Sequence, residues 1–253
     1  MISEVKENVR RIVWFSCGAA SAITAWLVLK EYPDAMLVYC DTGGEHGDNV
    51  RFMLDVERWL GKEVVVLKSK EYRDHFDVIE KTRYVNGRSG ARCTVELKKK
   101  LRFGFQRVDD IQHFGYTTEK RERARAERFR EYFPEVNARF PLIERRLTKK
   151  QCVGLLQKNG VEIPAMYKLG YNNNNCIGCV KGGAGYWNKI RKDFPEHFER
   201  MKRAERSVGH SCINGTFLDE LKPGAGRHTD LVIECDFICE STEPIQELRK
   251  LAI

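Results

Sequence analysis

The 253 residues include 42% apolar, 10% aromatic and 32% charged side chains, which is the make-up of a folded globular chain and excludes a disordered tail or a coiled-coil rod. Forty-four lysines and arginines against 36 aspartates and glutamates leave a net charge of +8, which permits a polyanionic partner without requiring one. The longest largely apolar run, residues 19–29, is too short for a bilayer span of about 20 residues. The first ten residues hold Glu4, Lys6, Glu7 and Arg10 and no apolar signal core, so a cytoplasmic location is expected.

In chain order, Arg11–Phe15 reads as a strand, small residues follow, and residues 20–30 have helical periodicity. Residues 35–40 form the next predicted strand, 48–60 a helix and 63–67 a third strand. Strand, helix, strand, helix, strand opens a doubly wound α/β fold with a mostly parallel sheet. Beyond it, residues 95–107 read as helix, 111–116 as strand and 118–132 as a charged helix. Residues 139–143 read as an edge strand, because Pro141 cannot donate to an interior ladder. Thr148 is a good N-cap for a helix running to about Lys158, and Gly160 closes it. After Pro164 the texture changes to an asparagine run, a cysteine pair and two further helical stretches. The division expected is a nucleotide-binding α/β domain over residues 1–163 and a cysteine-bearing C-terminal subdomain over 164–253.

Two turns fall at the carboxyl edge of the predicted sheet. Ser16-Cys17-Gly18-Ala19-Ala20-Ser21 lies between strand and helix, where backbone N–H groups and the helix dipole favour phosphate or sulfate and the Ser16 and Ser21 hydroxyls can donate. The bland alternative is a tight turn with a serine cap. Asp41, Thr42 and Gly43 end the second strand at the same crevice, where Asp41 could accept from a ribose hydroxyl or an adenine amino group, or simply cap the next helix. Nine cysteines stand at 17, 40, 93, 152, 176, 179, 212, 235 and 239. Their odd number argues against a closed disulfide framework, and the spacing Cys176-x2-Cys179 lets two thiolates grip one metal or cluster. From Glu119 to Lys150 eleven basic residues face six acidic ones, either a solvated helix face or a source of charge for an anion.

An ordered set of motifs carries a resemblance. It comprises Ser16-x-Gly18, Asp41-Thr42-Gly43, Arg92-Cys93-Thr94 with Leu97-Lys98, and Gly115 with Glu119 and Arg123. Phe140-Pro141-Leu142-Ile143 and Tyr167-x-Leu-Gly170 follow, ahead of Cys176-x2-Cys179. Together they resemble the phosphoadenosine phosphosulfate reductase family of the PP-loop, adenine nucleotide α-hydrolase-like superfamily. The reductase-like proteins of phages and prophages are especially similar through Cys176–Gly183 and Tyr186–Arg191. The resemblance implies a Rossmann-like fold and an adenine nucleotide, either ATP or phosphoadenylyl sulfate, held by Ser16, Cys17, Gly18, Ala19, Ser21, Asp41, Thr42 and Gly43. Arg92, Lys98 and Arg123 would supply positive charge.

The departures are informative. ATP-cleaving members carry Ser-Gly-Gly-x-Asp-Ser, whereas Cys17 and Ala20 stand here at the second and fifth positions, closer to the loop of sulfonucleotide reductases. Cluster-bearing reductases have a cysteine doublet where this chain has Cys93-Thr94, so the matched motifs supply three thiolates, Cys93, Cys176 and Cys179. Cys212, Cys235 or Cys239 could add a fourth, with Cys239 the expected one, completing a [4Fe–4S] cluster or a zinc site. Alternatively the site could stay three-coordinate, which would be similar to nucleic-acid-thiolating PP-loop enzymes that use an open iron. A helix start at Cys93 is expected to lower its pKa. Cys235 and Cys239 lie in a segment similar to the tail that carries the reductase nucleophile and are the candidate catalytic thiols. The leading expectation is a sulfonucleotide-reductase-like enzyme. ATP-dependent thiolation of tRNA or DNA is the second, and a non-catalytic nucleotide-sensing or DNA-binding module the third. The partners implied are a thiol electron or sulfur donor protein and, for the basic stretch, nucleic acid; a homodimer is left open.

Overall fold

The computed structural model describes residues 9–87, 90–213 and 215–228. The β-rich runs form five strands: β1 Arg11–Phe15, β2 Met36–Asp41, β3 Val64–Lys68, β4 Ile111–Phe114 and β5 Asn137–Arg139. They align in the order β3-β2-β1-β4-β5, and every strand pairing in this sheet is parallel. The fold is therefore the doubly wound α/β class expected. The chain winds outward from β1 through β2 to β3, then crosses to the other side of β1 for β4 and β5.

Alternation along the strands sorts the two faces. Val13 and Phe15 of β1 and Leu37 and Tyr39 of β2 enter a core shared with helices α1 (Ala19–Glu31), α2 (Asp48–Leu60) and α8 (Lys149–Lys158). On the opposite face Trp14 and Phe114 meet α5 (Lys100–Phe105) and α6 (Lys120–Tyr132) through Phe105 and Phe129. Thr148 caps α8 as expected, its side chain accepting from the Gln151 N–H while Gln151 reaches back to the Thr148 N–H.

Three local differences have physical causes. Residues 139–143 are not one strand: β5 stops at Arg139 and Pro141 opens the short α7 (Pro141–Glu144), since a missing N–H costs nothing at the first helical position. Helix α3 (His75–Thr82) was not anticipated, although Asp74 caps it by accepting from Asp77 N–H at 2.7 Å. The helix expected over 95–107 is composite, with α4 (Arg92–Thr94), a π-helical turn (Val95–Lys99) and α5 in succession.

A second apolar cluster joins Phe76 and Ile79 of α3 to Met166 of α9 (Ala165–Lys168), to Trp187 and Ile190 of α10 (Ala184–Asp193) and to Phe198 and Met201 of α11 (Pro195–Val208). It draws on both sides of residue 164. Among the described residues no helix is long and apolar enough to cross a membrane.

Candidate functional site: a nucleotide cleft beside a cysteine turn

Where strand order reverses at β1 and β4, the carboxyl edge of a parallel sheet opens into a crevice. Here it is a cleft of about 660 Å³, floored by Ser16, Gly18, Ala20 and Ser21 and walled by residues 114–117, Tyr167 and residues 173–175. Gly115 is a steric requirement of this arrangement, because a Cβ there would lie 3.0 Å from both the Cα and the N of Ser21.

The Ser16–Ser21 turn braces itself. The buried Ser21 hydroxyl accepts from Ser16 N–H at 3.0 Å and Gly18 N–H at 3.3 Å and donates to the Gly18 carbonyl at 2.9 Å. Ser21 thus shapes the turn, and Ser16 is the exposed hydroxyl. Ala19 N–H donates to the Tyr167 hydroxyl at 3.4 Å, and the Asn174 amide donates to the Cys17 carbonyl. Cys17 is fully buried at φ 51°, a left-handed conformation that favours glycine. The expected result is that Cys17→Gly is at least as stable as Cys17→Ala, since both lose the thiol and only glycine relieves roughly 1 kcal/mol of backbone strain. Urea titration of the two variants checks it; an alanine variant more stable by over about 1 kcal/mol contradicts it.

Half of the six cations on the cleft wall come from the π-helical turn and its continuation, Lys98, Lys99 and Arg102, and the others are Arg121, Arg125 and Lys149. A π turn shifts the side chains that follow it around the helix axis, and such turns are frequent at functional sites. Lys98 Nζ lies 3.4 Å from Glu45 Oε1. Burial opposes its charge, but the Glu45 carboxylate outweighs that and raises its pKa. Arg102 has buried Nε and Nη2 atoms with no hydrogen-bond partner among the described residues, and its guanidinium lies 4.7, 5.0 and 5.1 Å from the Phe103, Phe129 and Phe133 ring centres. The rings hold the guanidinium in place on the cleft wall by cation–π contact. Arg92 instead bonds the buried Glu96 at 2.7 Å, and Arg123 lies on the exposed face of α6; neither lines the cleft. Sequence reasoning missed Arg102 and Lys149, and gave Tyr167 only as part of a motif, without a place in the site. The spacing of Arg102 four residues after Lys98 was the available signal for the first.

Asp41 and Thr42 sit beside the cleft rather than on its lining. Asp41 accepts from Gly43 N–H at 2.8 Å and pairs with Lys68 at 3.0 Å. Thr42 Oγ1 lies 3.1 Å from Cys176 Sγ, and the Gly44 carbonyl accepts from Ile177 N–H at 2.8 Å. The loop after β2 is thereby fastened to the Cys176–Cys179 turn. Gly178 takes φ 75° in that turn. The Tyr186 hydroxyl accepts from Gly178 and Cys179 N–H at 3.0 Å each and donates to the Cys176 carbonyl at 3.2 Å.

Cys179 lies within electrostatic reach of Cys93, Cys176 and Cys212, a neighbourhood of soft sulfur donors. Burial pushes the Cys176 thiol up to about 12 against the opposing pull of Lys98. The Cys93 thiol is raised, by burial first and by Cys179 next, so its place in the three-residue α4 does not lower it. Among the described residues no three Cys, His, Asp or Glu side chains converge in metal-holding geometry. Cys235 and Cys239 lie outside the described residues.

No curated protein matches the chain by sequence. Among solved structures, it is similar to the phosphoadenylyl-sulfate reductase of Candida auris, in a phosphate complex, at 12% identity over 65% of this chain and 80% of that one, with a TM-score of 0.49. It is also similar to the U34-tRNA thiolase NcsA of Methanococcus maripaludis, with its [4Fe-4S] cluster, at 15% identity over 95% and 81% and a TM-score of 0.46. The family model of the phosphoadenosine phosphosulfate reductase domain matches residues 10–182, well over half of the chain and the whole of the cleft and cysteine turn just described. On that match the chain belongs to the phosphoadenosine phosphosulfate reductase domain family.

Proposed function

We propose that this chain is an adenine-nucleotide-dependent enzyme of sulfur chemistry, of the sulfonucleotide-reductase kind. The observation that carries the reading is Lys98, which lines the cleft while interacting electrostatically with Cys176 and Cys179. The activated end of a bound nucleotide and the cysteine turn would share that one cation. The Ser16–Ser21 turn at the amino end of α1 would take the phosphate or sulfate, with Arg102 and Lys149 countering its charge. In the reductase form a cysteine thiolate attacks the sulfonate sulfur, forming a sulfur–sulfur bond as the adenosine phosphate leaves with the electron pair of the broken S–O bond. Cys235 and Cys239 are the candidate thiolates.

Cys93, Cys176 and Cys179, which do not converge in the arrangement described above, would have to draw together to hold a [4Fe–4S] cluster or zinc. Their all-sulfur chemistry suits either, and Tyr186 would fix the turn that aims two of them. Cys239 or the nearby Cys212 would be the fourth donor. Anaerobic protein is expected to contain iron with sulfide, or zinc, and Cys176→Ser to lose most of it, measured as metal and sulfide per chain. A wild-type chain with neither, or a variant with unchanged content, overturns the metal reading.

ATP-dependent thiolation is the second reading, favoured by Arg121 on the cleft lining and by the exposed Arg123, Arg128 and Arg130 of the same helix α6. Sulfite released from phosphoadenylyl sulfate with a thiol reductant supports the first reading. Thionucleosides in digested tRNA or DNA support the second, and tight nucleotide binding without turnover supports neither.

A further inference from the structure

The sheet carries a second cavity, of about 290 Å³, on its α1 face and away from the carboxyl edge. Its floor includes His113, placed by register between Val13 of β1 and Arg139 of β5. His113 is only 5% exposed, and neither ring nitrogen has a hydrogen-bond partner among the described residues. A buried imidazole with both nitrogens unpaired is costly unless something else supplies the partner.

Three guanidiniums surround it from three different elements. Arg11, at the start of β1, lies 4.0 Å over the Tyr32 ring, Arg139 ends β5, and Arg145 follows α7. Two carboxylates also line the cavity. Glu31 is 56% exposed and 3.6 Å from Arg145, and Glu144 is exposed, so both stand at the rim. The α1 carboxyl end and the two rim carboxylates oppose an anion here, and three guanidiniums against two carboxylates leave the lining with one net positive charge. Leu27, Val28 and Pro141 form an apolar side wall.

We infer that this cavity is a second oxyanion site, distinct from the nucleotide cleft, built for a tetrahedral phosphate or sulfate group. Arg11 also donates to the Val9 carbonyl at 3.1 Å and Arg145 to the Pro141 carbonyl at 3.4 Å, and the remaining guanidinium donors from three separate elements suit a tetrahedral oxyanion better than a planar carboxylate. His113 would donate one ring N–H to it. The volume and the apolar wall leave room for a small organic portion, so the oxyanion is either free or a small monoester. Helix α1, 13 residues and about 20 Å long, begins at the Ser16–Ser21 turn and ends at this cavity, which gives the two sites a rigid mechanical connection.

The test is ¹⁵N-histidine NMR of the full chain titrated with inorganic phosphate and, separately, glycerol 3-phosphate, with His113 assigned by His113→Gln. The expected result is a saturable shift of the His113 ring resonances, weakened at least about tenfold in Arg139→Gln and Arg145→Gln, each the loss of a charged hydrogen bond. Arg139 is exposed, so its variant folds regardless of the inner packing. Tighter binding of the ester identifies a monoester ligand, and equal binding identifies the free oxyanion. His113 resonances unmoved by either compound, or a shift unchanged in Arg139→Gln, overturn the inference. Loss of nucleotide binding in Gly18→Val with the His113 shift intact separates this site from the cleft.

Discussion

Gly43→Ala is expected to destabilise the protein by at least about 3 kcal/mol, the sum of a left-handed backbone penalty and a main-chain clash. Gly43 has φ 65°, and a Cβ there would lie 1.9 Å from the Arg73 carbonyl oxygen and 3.0 Å from its carbon. Neither partner is a flexible side-chain end, so the loop after β2 must move. That loop carries Thr42 and Gly44, which hold Cys176 and Ile177, and the displacement is transmitted to the cysteine turn. Urea unfolding should show a lower midpoint with an unchanged slope. A variant within about 0.5 kcal/mol of wild type would show that the loop has room the geometry denies.

The second large effect is acid lability. Burial holds both His75 and His113 at about 4, far below the ordinary histidine value of 6.5. For His113, Arg11 adds to the burial effect; for His75, Asp74 partly opposes it. The folded-state values are depressed, so between pH 6.5 and 4 the unfolded chain binds more protons and stability falls as pH falls. From pH 7 to 5 the loss is about 2 kcal/mol for each histidine. Asp48 and Asp77, whose pKa values are lowered by Arg51 and by the Arg73 N–H respectively, lose their contributions only as the pH falls through the carboxylate range. Urea midpoints at pH 7, 6 and 5 in a phosphate-free buffer check this. A flat profile would mean that the two imidazoles are hydrated in the folded protein.

The order of the strands' hydrophobic runs and the Thr148 cap were legible because they rest on local pattern and local hydrogen bonds. The Ser16–Ser21 turn was legible for the same reason, but the inward use of the Ser21 hydroxyl was not. That depends on Cys17 adopting positive φ, and a cysteine there does not announce it as glycine would. Pro141 was ambiguous, since proline suits both an edge strand and a helix start. Asp41 and Thr42 were correctly put at the sheet edge, yet their partners, Lys68 and Cys176, come from distant parts of the chain. Arg102, Tyr167 and Tyr186 owe their positions to tertiary packing, which a single sequence does not display. The π-helical turn at Val95–Lys99 is likewise invisible to periodicity over five residues, although the four-residue spacing of Lys98 and Arg102 does put them on one helix face.

In the proposed reading the cleft between β1 and β4 binds an adenine nucleotide with its charged end between the Ser16 turn and the Arg102 guanidinium. Calorimetric titration of the full chain with phosphoadenylyl sulfate and with ATP, wild type against Arg102→Gln, tests it most directly. Saturable binding of at least one nucleotide at one site per chain is the expected result. Arg102→Gln should weaken it by on the order of 1.5–3 kcal/mol, the value of a hydrogen bond to a charged group. No binding of either nucleotide, or affinity unchanged by the loss of Arg102, contradicts it.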